Sequence, residues 1–351
     1  MRFRAYLALV LGVLAVLAAG CGGGDDGAPG ETTKLTAVIP FPSGAVFYPL
    51  FVAQENGYFA EEGLDVTVEP VDGSGATLQQ LAAGQAQVAV PSPGPFMQAV
   101  ARGENLKSVY TLYQSNVFGV QVPADSEIKS LADLEGKTVG VGALDGGETP
   151  FVKAALAEEA GLEEGDYELL AVGDGGQAVV ALEKGDIDAY AAAFVDTAIM
   201  RLRGVELRNI LPEDFQNFFD TVFVFDGDFV DENEDLIEGF GRAIAKATVW
   251  GLDNAEAVVE ITSKSFPEEA EDKEFTKALV EETQTLYELP EEADGQWGYA
   301  VPEFVERYMD FLVEQGELEE PVDPDVFVND YVDAYDDFDE DEIRADAGTD
   351  G

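Results

Sequence analysis

The side chains with which this chain could handle a small molecule are carboxylates, amides, hydroxyls and aromatic rings. Imidazole is absent, since the 351 residues include no histidine, and the only thiol is Cys21. The commonest general base is therefore missing, and Ser-His-Asp and Cys-His catalysis are excluded. One cysteine forms no internal disulfide and no thiolate metal cluster. With 71 Asp and Glu along the chain, no pair of carboxylates stands out as a catalytic dyad. Neither a phosphate-cradling GxxxxGKS/T nor an EF-hand loop occurs. Recognition remains. Phe47, Tyr48, Tyr113 and Phe194 can stack on a flat ring, and Asn116, Glu148 and Asp196 can accept hydrogen bonds from it. Ser74, Ser92, Gly147 and Thr149 add hydroxyls and backbone N–H groups near a helix start. The competing account of each aromatic is core packing, and of each acid a solvated face.

What must position them is a series of short strands and helices. Strand patterns fall at 34–39 (KLTAVI), 64–70 (LDVTVEP), 88–90, 108–113, 117–122, 137–141 (KTVGV), 167–172, 187–194 and 221–225. Between them lie helical stretches at 50–56, 76–84, 94–101, 150–160 and 177–183. Strand–helix alternation predicts βαβ units and mainly parallel sheets. From 235 to 251 the period turns helical, with Leu236, Phe240, Ile244 and Val249 on one stripe. The expectation is an α/β chain of two lobes: 34–116 as the first part of lobe 1, 117–222 as lobe 2, 223–335 as the helical return to lobe 1, and 336–351 as a frayed acidic tail. Two crossings, near 114–122 and 220–226, would make a hinge. Ligands bind such folds at the carboxyl ends of the strands, here 40–48, 71–75, 91–95, 142–149 and 194–197. Those loops carry no Lys or Arg.

The N-terminus has its own chemistry. Arg2 and Arg4 precede an apolar run, 5–19 (AYLALVLGVLAVLAA), of signal-peptide length. It is shorter than a bilayer span of about 20 residues. LAAGC at 17–21 resembles the lipobox of bacterial lipoproteins, whose cysteine is acylated and becomes the new N-terminus. The expectation is a signal peptide at 1–20, a lipid on Cys21, a Gly- and Asp-rich tether at 21–33, and residence on the outer face of the cytoplasmic membrane. The net charge of −52 repels nucleic acid and anionic headgroups, so the membrane is met through the lipid alone. The hydrophobic content of 46%, which includes 10% aromatics, is that of a globular chain. Self-repulsion of this size is relieved by salt, which points to a halophilic or alkaliphilic setting.

Several segments together resemble the SsuA/NMT1/THI5-like substrate-binding proteins of ABC importers. They are 47–59 (FYPLFVAQENGYF) with 62–66 (EGLDV), 81–85 (LAAGQ), 128–141 (IKSLADLEGKTVGV) and 182–189 (LEKGDIDA). One departure stands at 87–90 (QVAV), where the family usually carries an Asp. The resemblance implies a type II periplasmic-binding-protein fold, no cofactor, no metal, and a monomer that delivers its ligand to a permease and its ATPase. The family takes up sulfonates, nitrate-like anions, riboflavin-like rings and pyrimidine precursors of thiamine. With aromatics and acceptors but no cation in the strand-end loops, a thiamine pyrimidine precursor or similar flat heterocycle is expected ahead of a sulfonate or nitrate. The THI5-like branch also includes pyrimidine synthases that consume an active-site histidine. This chain has none, so an enzyme is not expected.

Overall fold

The computed structural model describes residues 32–346, apart from 145–147, 174, 213–214 and 216–217. Gly147 and Cys21, with the signal peptide and tether up to residue 31, lie outside the described residues. No described helix is long and apolar enough to cross a membrane.

Each short apolar run becomes a strand where both its faces find cover. The first sheet has the order β2-β1-β3-β10-β4. It uses β1 (Thr33–Ile39), β2 (Leu64–Pro70), β3 (Val88–Ala89), β4 (Leu106–Tyr113) and β10 (Asp220–Asp226). Alternate residues serve two cores: Leu35, Ala37 and Ile39 face one, and Val38 and Ala89 the other. The second sheet has the order β7-β6-β8-β5-β9. Its strands are β5 (Phe118–Pro123), β6 (Thr138–Val141), β7 (Glu168–Ala171), β8 (Ala189–Ala193) and β9 (Leu207–Asn209).

Both sheets are mainly parallel, as expected, and each is mixed by one reversed strand. β10 runs antiparallel to β3 and β4, and β5 antiparallel to β8 and β9. The cause is the crossings. The chain leaves the first sheet at Tyr113 and re-enters it opposite Tyr113 at Asp220, so β10 must run back. It enters the second sheet at Phe118, opposite Ala193 at the carboxyl end of β8, so β5 also runs back. The second crossing therefore precedes Asp220, and residues 220–226 are not hinge but strand. Val222, Phe223, Val224 and Phe225 are wholly buried, each worth about 1.5–3 kcal/mol. The outer edge of β4 is covered by the segment that pairs Phe327 with Ser108.

Helices α1 (Tyr48–Glu55), α2 (Tyr58–Glu61), α3 (Ser74–Ala82) and α4 (Pro93–Ala101) connect the early strands. Gly57 separates α1 from α2 with φ +81°, a left-handed conformation that favours glycine. Glu62, at the following turn, is held by Arg242, whose Nε and Nη2 donate to it at 2.9 and 3.0 Å. The GYF…EGLDV segment is thus scaffold. In the second lobe α5 (Glu148–Ala160), α6 (Gly176–Lys184) and α7 (Phe194–Leu202) flank the sheet. Phe194 starts α7 instead of ending a strand.

After β10 the chain is helical: α8 (Gly227–Glu232), α9 (Glu234–Leu252), α10 (Ala255–Ser265), α11 (Lys273–Thr285) and α12 (Pro302–Glu314). Phe240, Ile244 and Val249 of α9 are fully buried against the first sheet. Two further helices, α13 (Val332–Tyr335) and α14 (Glu340–Asp346), close the described chain. Residues 336–346 are docked and not frayed. Trp297 donates through Nε1 to Glu340 (2.8 Å) and through its backbone N to Asp336, while Arg344 pairs with Asp253 at 2.8 Å.

Candidate ligand-binding site

The carboxyl ends of β1, β2 and β3 form one mouth and those of β6, β7 and β8 another. They meet where Phe194, which follows β8 as the first residue of α7, packs its ring 6.4 Å from that of Tyr113 at the end of β4. Phe194 is half-buried and also donates its backbone N–H to Val117 in the first crossing.

On the first-lobe side, hydroxyls converge on one acid. Ser92 follows β3 and occupies the N-cap of α4, where a serine ordinarily bonds the helix's free N–H groups. Here it makes no such cap. Its backbone N donates to Ser74 Oγ (3.1 Å) and its Oγ donates to Asp220 Oδ1 (3.2 Å). Thr221 donates to the same Oδ1 through its backbone N (2.6 Å) and its hydroxyl (2.9 Å). Asp220 is half-buried, and burial pushes its carboxyl up to about 6, while the bonds from Thr221 and Ser92 pull the other way. Thr221 holds φ at +47°. For a β-branched residue this is a strained conformation, costing on the order of 1–3 kcal/mol. Asp220 was hidden among 71 acids. Its one sequence signal was its place at the start of an apolar run just past a crossing.

The predicted aromatics divide. Tyr113 is buried, and its hydroxyl donates to the Val46 carbonyl. Tyr48 does not reach the mouth: it is fully buried, its ring lies edge-on to Tyr287 at 5.3 Å, and its hydroxyl donates to Thr248. A Cβ at Gly251 of α9 would come within 2.1 Å of that ring, so α9 passes directly over it. Phe47 is also core at 1% exposure, with its ring 5.0 Å from that of Phe41. Phe41, 43% exposed, is the accessible ring of the β1–α1 loop, and aromatic type alone did not distinguish the two.

The predicted polar residues mostly fasten loops. Asn116 braces the two crossings: Nδ2 donates to Phe215 O (2.9 Å) and Oδ1 accepts from Phe118 N (2.9 Å). Glu148 accepts from the backbone of Gly142 and Ala143, and Thr149 donates to Ala143 O, which holds the β6–α5 loop. Asp196 accepts from Gly175 N at 2.8 Å and ties the β7–α6 loop to α7. Gln87, the departure from the family pattern, accepts from Thr36 N and pins β1. A cavity of about 340 Å³ opens beside Asn116, lined also by Gln114, Phe118, Asn209, Leu286 and Leu289. Among the described residues no cluster of three or more His, Cys, Asp or Glu is arranged to hold a metal ion.

Two α/β sheets joined by two crossings, with helices on both faces and a helical C-terminal region, define the type II periplasmic-binding-protein fold. The periplasmic aliphatic sulphonate binding protein SsuA of Escherichia coli shares it, at TM-score 0.61 and 15% identity over 84% of this chain and 91% of that one. The chain belongs to the NMT1/THI5-like family, whose model matches residues 45–258. It is 26% identical over 327 residues to the formylaminopyrimidine-binding protein of Halalkalibacterium halodurans, covering 92% of this chain and 97% of that protein. It is 23% identical to the 4-amino-5-hydroxymethyl-2-methylpyrimidine phosphate synthase THI5 of Saccharomyces cerevisiae, covering 84% and 92%.

Proposed function

We propose that the chain is an extracytoplasmic solute receptor that captures a flat heterocycle between its lobes and delivers it to the permease of an ABC importer. The observation that carries this reading is the convergence of the two mouths at Tyr113 and Phe194, beside an acid bonded to hydroxyls and no cation. A pyrimidine of the kind named for the H. halodurans relative suits such walls: rings stack on its face and acceptors meet its N–H groups. Lobe closure about the crossings, driven by contacts to both lobes, would prepare the complex for the permease. We assign Cys21 as a lipid anchor on the outer face of the cytoplasmic membrane, and a monomer as the working unit.

The sulfonate reading has a relative by fold in SsuA. It is disfavoured because the strand-end loops carry no Lys or Arg to meet an anion. The synthase reading is disfavoured because the chain has no histidine. Calorimetry with aminopyrimidines, taurine and nitrate tests the order. Tight binding of taurine and none of an aminopyrimidine overturns it.

A further inference from the structure

Asp220 is charged, half-buried and only half used. Three donors, Ser92 Oγ, Thr221 N and Thr221 Oγ1, all fall on Oδ1. Oδ2 has no hydrogen-bond partner, and no Lys or Arg pairs with the carboxylate, among the described residues. An acid left in this state lowers stability unless something completes it. Yet the fold invests in placing it: Ser92 forgoes its helix cap and Thr221 a relaxed backbone. Broken local rules of this kind concentrate at functional positions. Tyr113 and Tyr308, whose phenols feel the Asp220 charge, are the titratable groups facing it from β4 and α12, and burial holds both protonated. The carboxylate, near 6, is therefore the group that changes charge there in the neutral range.

We infer that Asp220 is the specificity residue of the cleft, its free Oδ2 accepting a hydrogen bond from an amino or ring N–H group of the bound molecule. The inference rests on heterocycle capture between the lobes and narrows it to donor-bearing rings. Ser74 and Ser92 act as positioning residues that hold the carboxylate's orientation. An anion finds repulsion at this point.

The test is calorimetry at pH 7.5 on the full chain. The probes are 4-amino-5-hydroxymethyl-2-methylpyrimidine and its 4-methoxy analogue, which lacks the N–H donors. The amino ring is expected to bind roughly 10- to 150-fold more tightly than the methoxy ring, as for a hydrogen bond to a charged group. D220N is expected to lose that preference while retaining a cooperative melt. S92A, which keeps the carboxylate but removes one of the bonds that orient it, is expected to weaken the preference without abolishing it. Equal binding of the two rings by the unmodified chain overturns the inference without any variant. So does D220N with an unchanged preference. Binding of neither ring overturns heterocycle capture itself, and the inference with it.

Discussion

Arg201 on α7 and Glu282 on α11 form an ion pair that ties the second lobe to the first. Glu282 is 8% exposed, so its charge depends on the partner that crosses the gap. Arg307 of α12 lies 4.9 Å from the ring centroid of Phe215 and 5.2 Å from that of Phe218, in the second crossing. The lobes are therefore tied by contacts other than that of Tyr113 with Phe194. Replacing Arg201 by Ala strands a buried acid and is expected to cost the contact between the lobes about 1–2 kcal/mol, a value held down by the half-exposed arginine. Small-angle scattering should report a larger radius of gyration for R201A than for the unmodified chain. Identical profiles would show that the pair does not hold the lobes.

Asp220 sets a pH dependence of stability. Its carboxyl rises from 3.8 to about 6 on folding, so the folded chain holds that proton more tightly. The group favours folding below about pH 4, and this contribution is lost as pH rises through about 6. D220N removes the cost of the buried charge. It is expected to be more stable than the unmodified chain at pH 7.5, by up to about 3 kcal/mol, with the difference shrinking toward pH 4. Urea melts at pH 4, 5.5 and 7.5 check this, and a constant difference across the three would contradict it.

Gly251 tests the packing of α1 under α9. A methyl at this position meets the Tyr48 ring at 2.1 Å, and the ring, fixed by Tyr287 and the Thr248 carbonyl, has nowhere to go. G251A is expected to lose about 1–3 kcal/mol, read as a lower urea midpoint with an unchanged slope.

Asn116 tests the brace between crossings. N116A leaves Phe118 N and Phe215 O without their partner. The expected loss is about 1–3 kcal/mol, together with faster amide exchange in residues 114–118. Unchanged exchange there would mean the crossings are held by other contacts.

Salt is the last lever. The 19 basic residues leave most of the 71 acids unpaired, and the screening length falls from about 10 Å at 0.1 M to about 3 Å at 1 M salt. The melting temperature is expected to climb by several degrees between 0.1 and 2 M sodium chloride. A flat response would rule out self-repulsion as the controlling stress.

The strands were legible because their apolar runs are short and bounded by glycine: KTVGV and LDVTVEP sit within a residue of where they were expected. β9 was not, since Leu-Arg-Asn carries no alternation; it pairs with the edge of β5, and Arg208 adds bonds to the carbonyls of Ala124, Ser126 and Ile128. Strand direction was also invisible, because a run such as Val222–Phe225 looks the same read either way. At the site, residue type showed which groups could recognise a ligand but not which way they point. Phe47 and Tyr48 turned inward while Phe41 turned out. Asn116 and Glu148, expected as acceptors for a guest, are bonded to the backbone they stabilise. Asp220 lay unmarked because acidity in this chain is the background.

The pairing of Tyr113 with Asp220 also orders events in time. β4 emerges during synthesis or export long before β10, and the whole second sheet is made in between. The first sheet must wait with an open place between β3 and β4, while the second has all five of its strands by Asn209. The later-numbered lobe is thus the one able to fold early, and the strand that carries Asp220 is the closing piece of the other.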